Sequence, residues 1–158
     1  MKWLIAGVFF SICTAVGVGI YQRSAARVKF YHAVITFCQH LSTEIGFSLQ
    51  PLPQIIAEYP ATPSGQFNQV LAGYAQLLRS KADITREQCL ALTTDPEVAE
   101  FLYRLGRTGS TQEKTKITNA VQIFTTKQTQ AETYLHHKAS IMCKLLIIIG
   151  IAGVILWI

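Results

Sequence analysis

Cysteine and histidine are the residues of this chain whose side chains could bind a metal ion or act as nucleophiles. The four cysteines are Cys13, Cys38, Cys89 and Cys143. They are widely spaced and form no CxxC pair, so the sequence predicts neither a zinc site nor a disulfide framework. We interpret the isolated cysteines as small apolar packing residues.

The four histidines do not make a convincing ligand set. His136 and His137 are adjacent, so on a helix their side chains diverge by about 100° and cannot share a metal ion. His32 and His40 can face one way on a helix, but no carboxylate or thiol at helical spacing completes a site. We therefore predict that the chain holds no metal ion and no other cofactor.

Familiar catalytic motifs are absent from the sequence. It contains no phosphate-binding GxxxxGK loop, no GxGxxG, no GxSxG and no HExxH. The net charge of +5 is not gathered into a dense basic stripe with interleaved aromatic residues, which a nucleic-acid-binding surface requires. We predict a protein that is not an enzyme and does not bind nucleic acid.

Two apolar segments frame the chain and must position whatever lies between them. Residues 3–20 carry no charge, and a helix of that length spans roughly 27 Å, close to the hydrocarbon thickness of a bilayer. Residues 145–158 are also uncharged, and this segment extends back to residue 141 if Lys144 snorkels to the interface. The sequence therefore predicts transmembrane helices at 3–20 and 141–158.

Each apolar segment has an alternative interpretation. The first can be a cleaved signal peptide, although its uncharged run exceeds the roughly 7–15 residues of a signal core. The second can be a buried core helix, although no polar stripe interrupts it. Arg23 and Arg27 follow the first segment and Lys138 precedes the second, so the positive-inside rule predicts that the intervening region is cytoplasmic and that both termini face outward.

Residues 21–140 are predicted to form one cytoplasmic helical domain. No proline and a single glycine, Gly46, occur between residue 21 and Pro51, so the first membrane helix can continue unbroken as far as Pro51. Two adjacent stripes give this helix a wide face that needs packing partners on two sides. The stripes consist of Val28, Phe30, Val34, Ile35, Phe37, Cys38, Leu41, Ser42, Ile45 and Leu49.

Capping signals divide the next part of the domain into short helices. A helix over 52–59 is followed by a proline-rich turn and by a helix that begins after Ser64. One face of that helix carries Phe67, Val70, Leu71, Tyr74, Leu77 and Leu78. Thr85 and Gln88 have the spacing of a capping box and predict a further helix.

The last part of the domain is also predicted to be helical. Asp95 and Pro96 mark the start of a helix, and Gly106 marks its end. Ser110 and Glu113 form a second capping box for a helix that runs towards the second apolar segment. The predicted fold class is all-α: a cytoplasmic bundle of about six helices, whose first and last helices are continuous with the transmembrane helices.

The segment 41–53 resembles a motif of the stage III sporulation protein AB family. It reads LSTEIGFSLQPLP, in which an LxxEIxF-like run on a helix leads to a Pro-Leu-Pro turn at 51–53, here called the PLP turn. The Met-Lys-Trp start, the basic exit from the first apolar segment, the Leu105-Gly106 pair and the long final helix extend the resemblance over essentially the whole chain. After Leu105-Gly106 this chain has a short segment, 107–113, where the family usually has a longer linker.

This resemblance implies a component of the channel that links mother cell and forespore in endospore-forming bacteria. The family's cytoplasmic domain is similar to the platform proteins of type II secretion and type IV pilus systems. The implied role is a non-enzymatic scaffold in the mother-cell membrane around the forespore. Its implied partners are the cognate secretion-type ATPase and other membrane components of the channel, and a second copy of the chain is a further candidate.

Five residues are expected to contact a partner. They are Glu44, Pro51, Pro53, Gln112 and Glu113. For Glu44 and the PLP turn, the alternative is that these residues only terminate a helix.

Two other functions remain open from the sequence alone. A membrane-anchored helical sensor or regulator would bind a small ligand between its helices, and a thermal shift with a metabolite but not with assembly partners would favour it. A membrane enzyme would need polar groups that converge in a pocket, which this sequence does not indicate.

Overall fold

Helices make up nearly all of the regular structure of this chain. The computed structural model describes residues 2–47, 51–80, 83–107 and 110–157. Within these ranges it leaves undescribed the side chains of residues 2–6, 8–10, 13, 46–47, 110–111, 139, 143, 150, 153–154 and 156–157. The described residues contain no strand, and the all-α prediction is confirmed.

Seven α-helices and one π-helical segment follow one another along the described ranges. In chain order they are α1 (Lys2–Phe47), α2 (Leu52–Glu58), α3 (Gly65–Arg79), α4 (Arg86–Leu92), α5 (Pro96–Arg104), α6 (Ser110–Thr133), the π-helical segment (Tyr134–Ala139) and α7 (Ser140–Trp157).

The chain divides into two compact units. The terminal unit comprises Met1–Val28 and Lys127–Ile158, and the central unit comprises Lys29–Thr126. Helices α1 and α6 contribute residues to both units. Within its described residues the central unit draws on six helices, α1 to α6, which agrees with the predicted bundle of about six.

The wide face predicted for α1 supplies much of the core of the central unit. Its fully buried or nearly buried members are Phe30, Val34, Ile35, Phe37, Cys38 and Leu41. Val28, Ser42 and Ile45 are half-buried, and Leu49 lies outside the described residues. The face therefore meets partners across two adjacent stripes, as the sequence predicts.

Aromatic rings join α1 to α2 and α3. The Phe37 ring packs edge-on against Phe67, with centroids 5.7 Å apart, and against Tyr59, the residue that ends α2, at 5.1 Å. Phe30 makes a similar contact with Phe67 at 5.9 Å. Such edge-to-face pairs add to the hydrophobic gain of burying the rings.

The caps predicted for α3 and α4 are confirmed. Ser64 Oγ accepts from the backbone N–H of Phe67 at 3.3 Å. Thr85 and Gln88 form the complete capping box at the start of α4. On the predicted face of α3, Phe67, Val70, Leu71 and Tyr74 are buried, whereas Leu77 and Leu78 are half-buried.

Asp95 both caps α5 and connects it to α1. Its Oδ1 accepts from the Glu97 backbone N–H at 3.0 Å, which confirms the predicted N-cap. Its Oδ2 accepts a 2.5 Å hydrogen bond from the Tyr31 hydroxyl, and Tyr31 is only 6% exposed. A single carboxylate therefore holds the start of α5 against the buried face of α1.

Gly106 ends α5 as predicted, and its backbone explains why a glycine is needed. Its φ is +79°, in the left-handed region that costs an L side chain roughly 1–2 kcal/mol. We expect Gly106→Ala to lower the free energy of unfolding by about that amount, as measured by chemical denaturation of the full chain in detergent.

Gly65→Ala is the matched control for this substitution. Gly65 begins α3, and no atom lies within 4 Å of the position that its Cβ would take. Alanine there should be neutral or stabilise by up to about 1 kcal/mol. An equal loss of stability in both variants would contradict the explanation from backbone conformation.

The helix expected to run unbroken from residue 110 to the end of the chain contains a π-turn. Ile117 and Phe124 of α6 are buried, and the expected cap at Ser110 lies outside the described side chains. From Tyr134 to Ala139 the helix is π-helical, and the Ser140 N–H donates to Leu135 O five residues back. A single π-turn changes the spacing of apolar residues too little to be distinguished from an α-helix, so this turn could not be predicted.

The terminal unit presents many apolar side chains at its surface. The exposed large ones are Ile12, Val16, Val18, Tyr21, Tyr134, Ile141, Met142, Leu145, Ile148, Ile149, Ile151 and Ile155. Over the residues that are described, no helix is both long enough and apolar enough to cross a membrane. Parts of both predicted spans, including residues 3–6 and 156–158, lie outside the described side chains, and the spans at 3–20 and 141–158 stay predictions.

Candidate functional site

The five residues expected to contact a partner differ in their access to solvent. Pro51 precedes α2 and Pro53 lies in its first turn, and both are exposed. Gln112 is exposed in the first turn of α6, while Glu44 near the end of α1 is half-buried. Glu113 is only 4% exposed. A partner would therefore meet the two prolines and Gln112 directly.

Leu52 in the PLP turn lies close to Gly106. A Cβ placed on Gly106 would lie 3.1 Å from Cδ2 of Leu52, the middle residue of the PLP turn. Two segments that are more than fifty residues apart, and that both carry the family resemblance, therefore meet in the central unit. We call this place the paired turns.

Backbone hydrogen bonds fix each half of the paired turns. Pro51 O accepts from the backbone N–H groups of Gln54 and Ile55 at 2.9 and 3.3 Å, and so closes the first turn of α2. The Leu105 N–H donates to Phe101 O at 3.1 Å, and the Leu105 side chain is 6% exposed. The exposed Pro51 and Pro53 therefore lie on a helix start whose first turn is closed by hydrogen bonds.

Arg107 links the paired turns to the loop before α4. Its Nη2 donates to Ile84 O at 2.6 Å, and its guanidinium carbon lies 4.1 Å from the centroid of the Tyr103 ring. The sequence placed Arg107 near the carbonyl end of α5, but the bond to Ile84 spans 23 residues and could not be predicted from helical spacing.

A small ion network lies on the adjoining surface of α4 and α5. Glu100 is paired with Arg86 across the two helices at 2.9 Å and with Arg104 one turn further along α5 at 2.5 Å. The hydrogen bond from Arg104 is the main cause that lowers the pKa of the Glu100 carboxyl. The Glu100–Arg104 pair has the i, i+4 spacing that a sequence can reveal, whereas the Arg86 contact depends on how α4 meets α5.

Beneath this surface, Tyr74 ties α3 to α5. Tyr74 is 1% exposed, and its hydroxyl donates to Leu102 O at 2.9 Å. Burial is the main cause that raises the pKa of Tyr74, with Cys89 and Glu113 acting in the same direction and Arg107 opposing them.

Tyr74→Phe is expected to lower the free energy of unfolding by about 1 kcal/mol, because it removes a buried hydrogen bond without opening a large cavity. Chemical denaturation of the full chain measures this loss. Tyr103→Phe is the matched control: its hydroxyl accepts from Arg107 Nη1 at 3.2 Å at the surface, and its loss should change stability by less than about 0.5 kcal/mol. Equal effects would contradict a structural role for the Tyr74 bond.

The cysteines and histidines do not gather into a reactive centre among the described residues. Cys38 and Cys89 are both buried, and burial raises the pKa of the Cys38 thiol to about 12. His40 lies against the Tyr59 ring, at 5.2 Å between centroids, and His32, His136 and His137 are exposed. Within the described ranges, no three His, Cys, Asp or Glu side chains are grouped so that they could hold a metal ion.

Comparison with known proteins agrees with the family resemblance of the sequence. A family model described as Stage III sporulation protein AB matches residues 2–158. No curated protein and no solved structure gives a significant match. Because the family match covers essentially the entire sequence, the chain belongs to the stage III sporulation protein AB family.

Proposed function

We propose that the chain is a non-enzymatic membrane scaffold of the sporulation channel between mother cell and forespore. It couples the cognate secretion-type ATPase in the cytoplasm to other membrane components of the channel. The observation that carries the proposal is the match to a stage III sporulation family over residues 2–158.

The surface of α7 supports the membrane part of the proposal. Its exposed apolar residues are Ile141, Met142, Leu145, Ile148, Ile149, Ile151 and Ile155, of which Ile155 is 70% exposed. At about 100° per residue they cover roughly half of the helix circumference. Exposed apolar surface of this extent is typical of a membrane or partner contact, and residues 145–158 carry no charge.

Charge supports the proposed orientation. Arg23 and Arg27 follow the first apolar segment, and Lys138 precedes the second, so both inner flanks are basic. The protein is accordingly a two-span protein of the mother-cell membrane around the forespore, with the central region in the cytoplasm and both termini outward.

The paired turns are the proposed contact for the ATPase. Pro51 and Pro53 are exposed, and proline limits the backbone freedom that a surface loses when it binds. Gln112 is exposed and can add a hydrogen-bonding group. Glu44 is half-buried and precedes Pro51 by seven residues in the sequence. Glu113 is buried, so we do not expect it to touch the partner directly.

Cysteine accessibility in intact cells tests the orientation. In a cysteine-free background, single cysteines are placed at Ser80 and at the C-terminus and exposed to a membrane-impermeant thiol reagent. Labelling only at the C-terminus is the expected result. Labelling at residue 80 would put the central unit outside and exclude a cytoplasmic ATPase as its partner.

Site-specific photo-crosslinking in sporulating cells tests the partner. A crosslinking amino acid at Pro53 or Gln112 is expected to capture the cognate ATPase. The same amino acid at Ala72 or Asn119, which are exposed on α3 and α6, provides the matched control. Capture of the ATPase from the control positions alone, or from none of the four, would refute the proposed contact.

A further inference from the structure

The net charge of the chain lies entirely in the terminal unit. This unit holds six of the fourteen Lys and Arg residues and one of the nine acidic residues, whereas the central unit holds eight of each. The one acidic residue is Glu132, which accepts a hydrogen bond from Gln128 Nε2 at 2.8 Å. The formal charge of +5 therefore belongs to the unit that carries the proposed anchors.

Exposed basic side chains lie next to both apolar segments. Arg23 and Arg27 are exposed on α1, and His136, His137 and Lys138 are exposed in the π-helical segment. We call these five residues the basic collar. Guanidinium, ammonium and imidazole N–H groups all donate hydrogen bonds that phosphate oxygens accept.

The basic collar lies at matching distances from the two apolar segments. Arg23 comes three residues after Ile20, where the first uncharged run ends, and Lys138 comes three residues before Ile141. At the helical rise, each is about 4.5 Å beyond the apolar segment, at the level of lipid headgroups. Tyr21 is 46% exposed beside Arg23, as expected for an aromatic residue at a membrane interface.

The π-helical segment spreads its donors around the helix axis. Consecutive helical side chains point about 100° apart, and somewhat less in a wider π-turn, so His136, His137 and Lys138 face different directions. Lys138 Nζ lies 5.9 Å from the Tyr134 ring centroid. Together the three donors span about half of the helix circumference. This spread lets them reach several lipid headgroups at a similar depth in the membrane.

We infer that the basic collar binds the phosphodiester headgroups of anionic phospholipids in preference to zwitterionic lipids. The inference rests on the proposed membrane placement and adds a lipid selectivity to it. Each cation near an anionic surface is expected to raise the preference roughly fivefold.

The test measures which lipids the full-length chain retains from nanodiscs of equal parts phosphatidylglycerol and phosphatidylcholine, by native mass spectrometry. The wild-type chain is expected to retain phosphatidylglycerol in excess. The double variant Arg23→Gln/Lys138→Gln should lose this excess, because each substitution is expected to lower the preference for phosphatidylglycerol roughly fivefold. Arg79→Gln/Lys114→Gln removes the same charge from exposed residues of the central unit and should keep the wild-type excess.

A charge-conserving variant is the control for misfolding caused by substitution at these positions. Arg23→Lys/Lys138→Arg keeps both charges and should retain the excess of phosphatidylglycerol. Similar losses in the two glutamine variants would overturn the inference, because net charge alone would then account for the preference. Release of the chain from membranes by alkaline carbonate would overturn both the membrane placement and this inference. A chain that stays in the membrane but retains both lipids equally would overturn this inference alone.

Discussion

Replacing Phe37 with alanine is expected to lower the free energy of unfolding of the central unit by about 3–5 kcal/mol. Phe37 has no exposed surface, and its ring contacts Phe67 on α3 and Tyr59 at the end of α2. The substitution removes a large apolar side chain and leaves a cavity where three elements meet. Chemical denaturation of the full chain in detergent, followed by near-ultraviolet circular dichroism of the aromatic rings, measures the loss.

Two variants separate packing from other effects at this position. Thr36→Ala changes the exposed neighbour on α1 and should alter stability by less than about 0.5 kcal/mol. Phe37→Leu keeps much of the apolar volume and should cost clearly less than alanine. If Thr36→Ala were as damaging as Phe37→Ala, the loss would reflect a general sensitivity of α1 and not the packing of the ring.

The burial of Phe37 could be predicted from the sequence because α1 is long and regular. Side chains at helical spacing fall on one face whatever the rest of the chain does, and an apolar face has to be covered. The same local reasoning identified Ser64, Thr85 and Asp95 as caps, since a cap contacts the backbone only two or three residues away. Gly106 is of this kind too, because its requirement is set by its own φ angle.

Contacts between distant residues could not be predicted in this way. The contact between Leu52 and Gly106 and the bond from Arg107 to Ile84 depend on how helices are arranged, and no spacing in the sequence encodes that. Which of Gln112 and Glu113 is accessible to a partner also depends on how α6 packs against the other helices. Neighbouring residues on a helix point in different directions, and here Gln112 is exposed while Glu113 is buried.

Asp95→Ala is expected to lower the free energy of unfolding by about 2–5 kcal/mol, because its carboxylate caps α5 and also accepts the bond from Tyr31. As N-cap of α5 it satisfies the Glu97 N–H, which is worth about 0.5–2 kcal/mol. As acceptor of the Tyr31 hydroxyl at 2.5 Å it makes a charge-assisted bond worth about 1.5–3 kcal/mol. Asp83→Ala, at an exposed acidic residue before α4, is the control and should cost less than about 0.5 kcal/mol.

The two contributions of Asp95 can be measured separately. Asparagine caps helices as well as aspartate does, so Asp95→Asn should keep the cap and lose only the charge that strengthens the bond from Tyr31. Tyr31→Phe removes the donor and leaves the cap intact. In a double-mutant cycle, Tyr31→Phe and Asp95→Ala should therefore be non-additive by about 1.5–3 kcal/mol. Additive losses would mean that the contact between α1 and α5 adds nothing to stability, and that Asp95 acts through its cap alone.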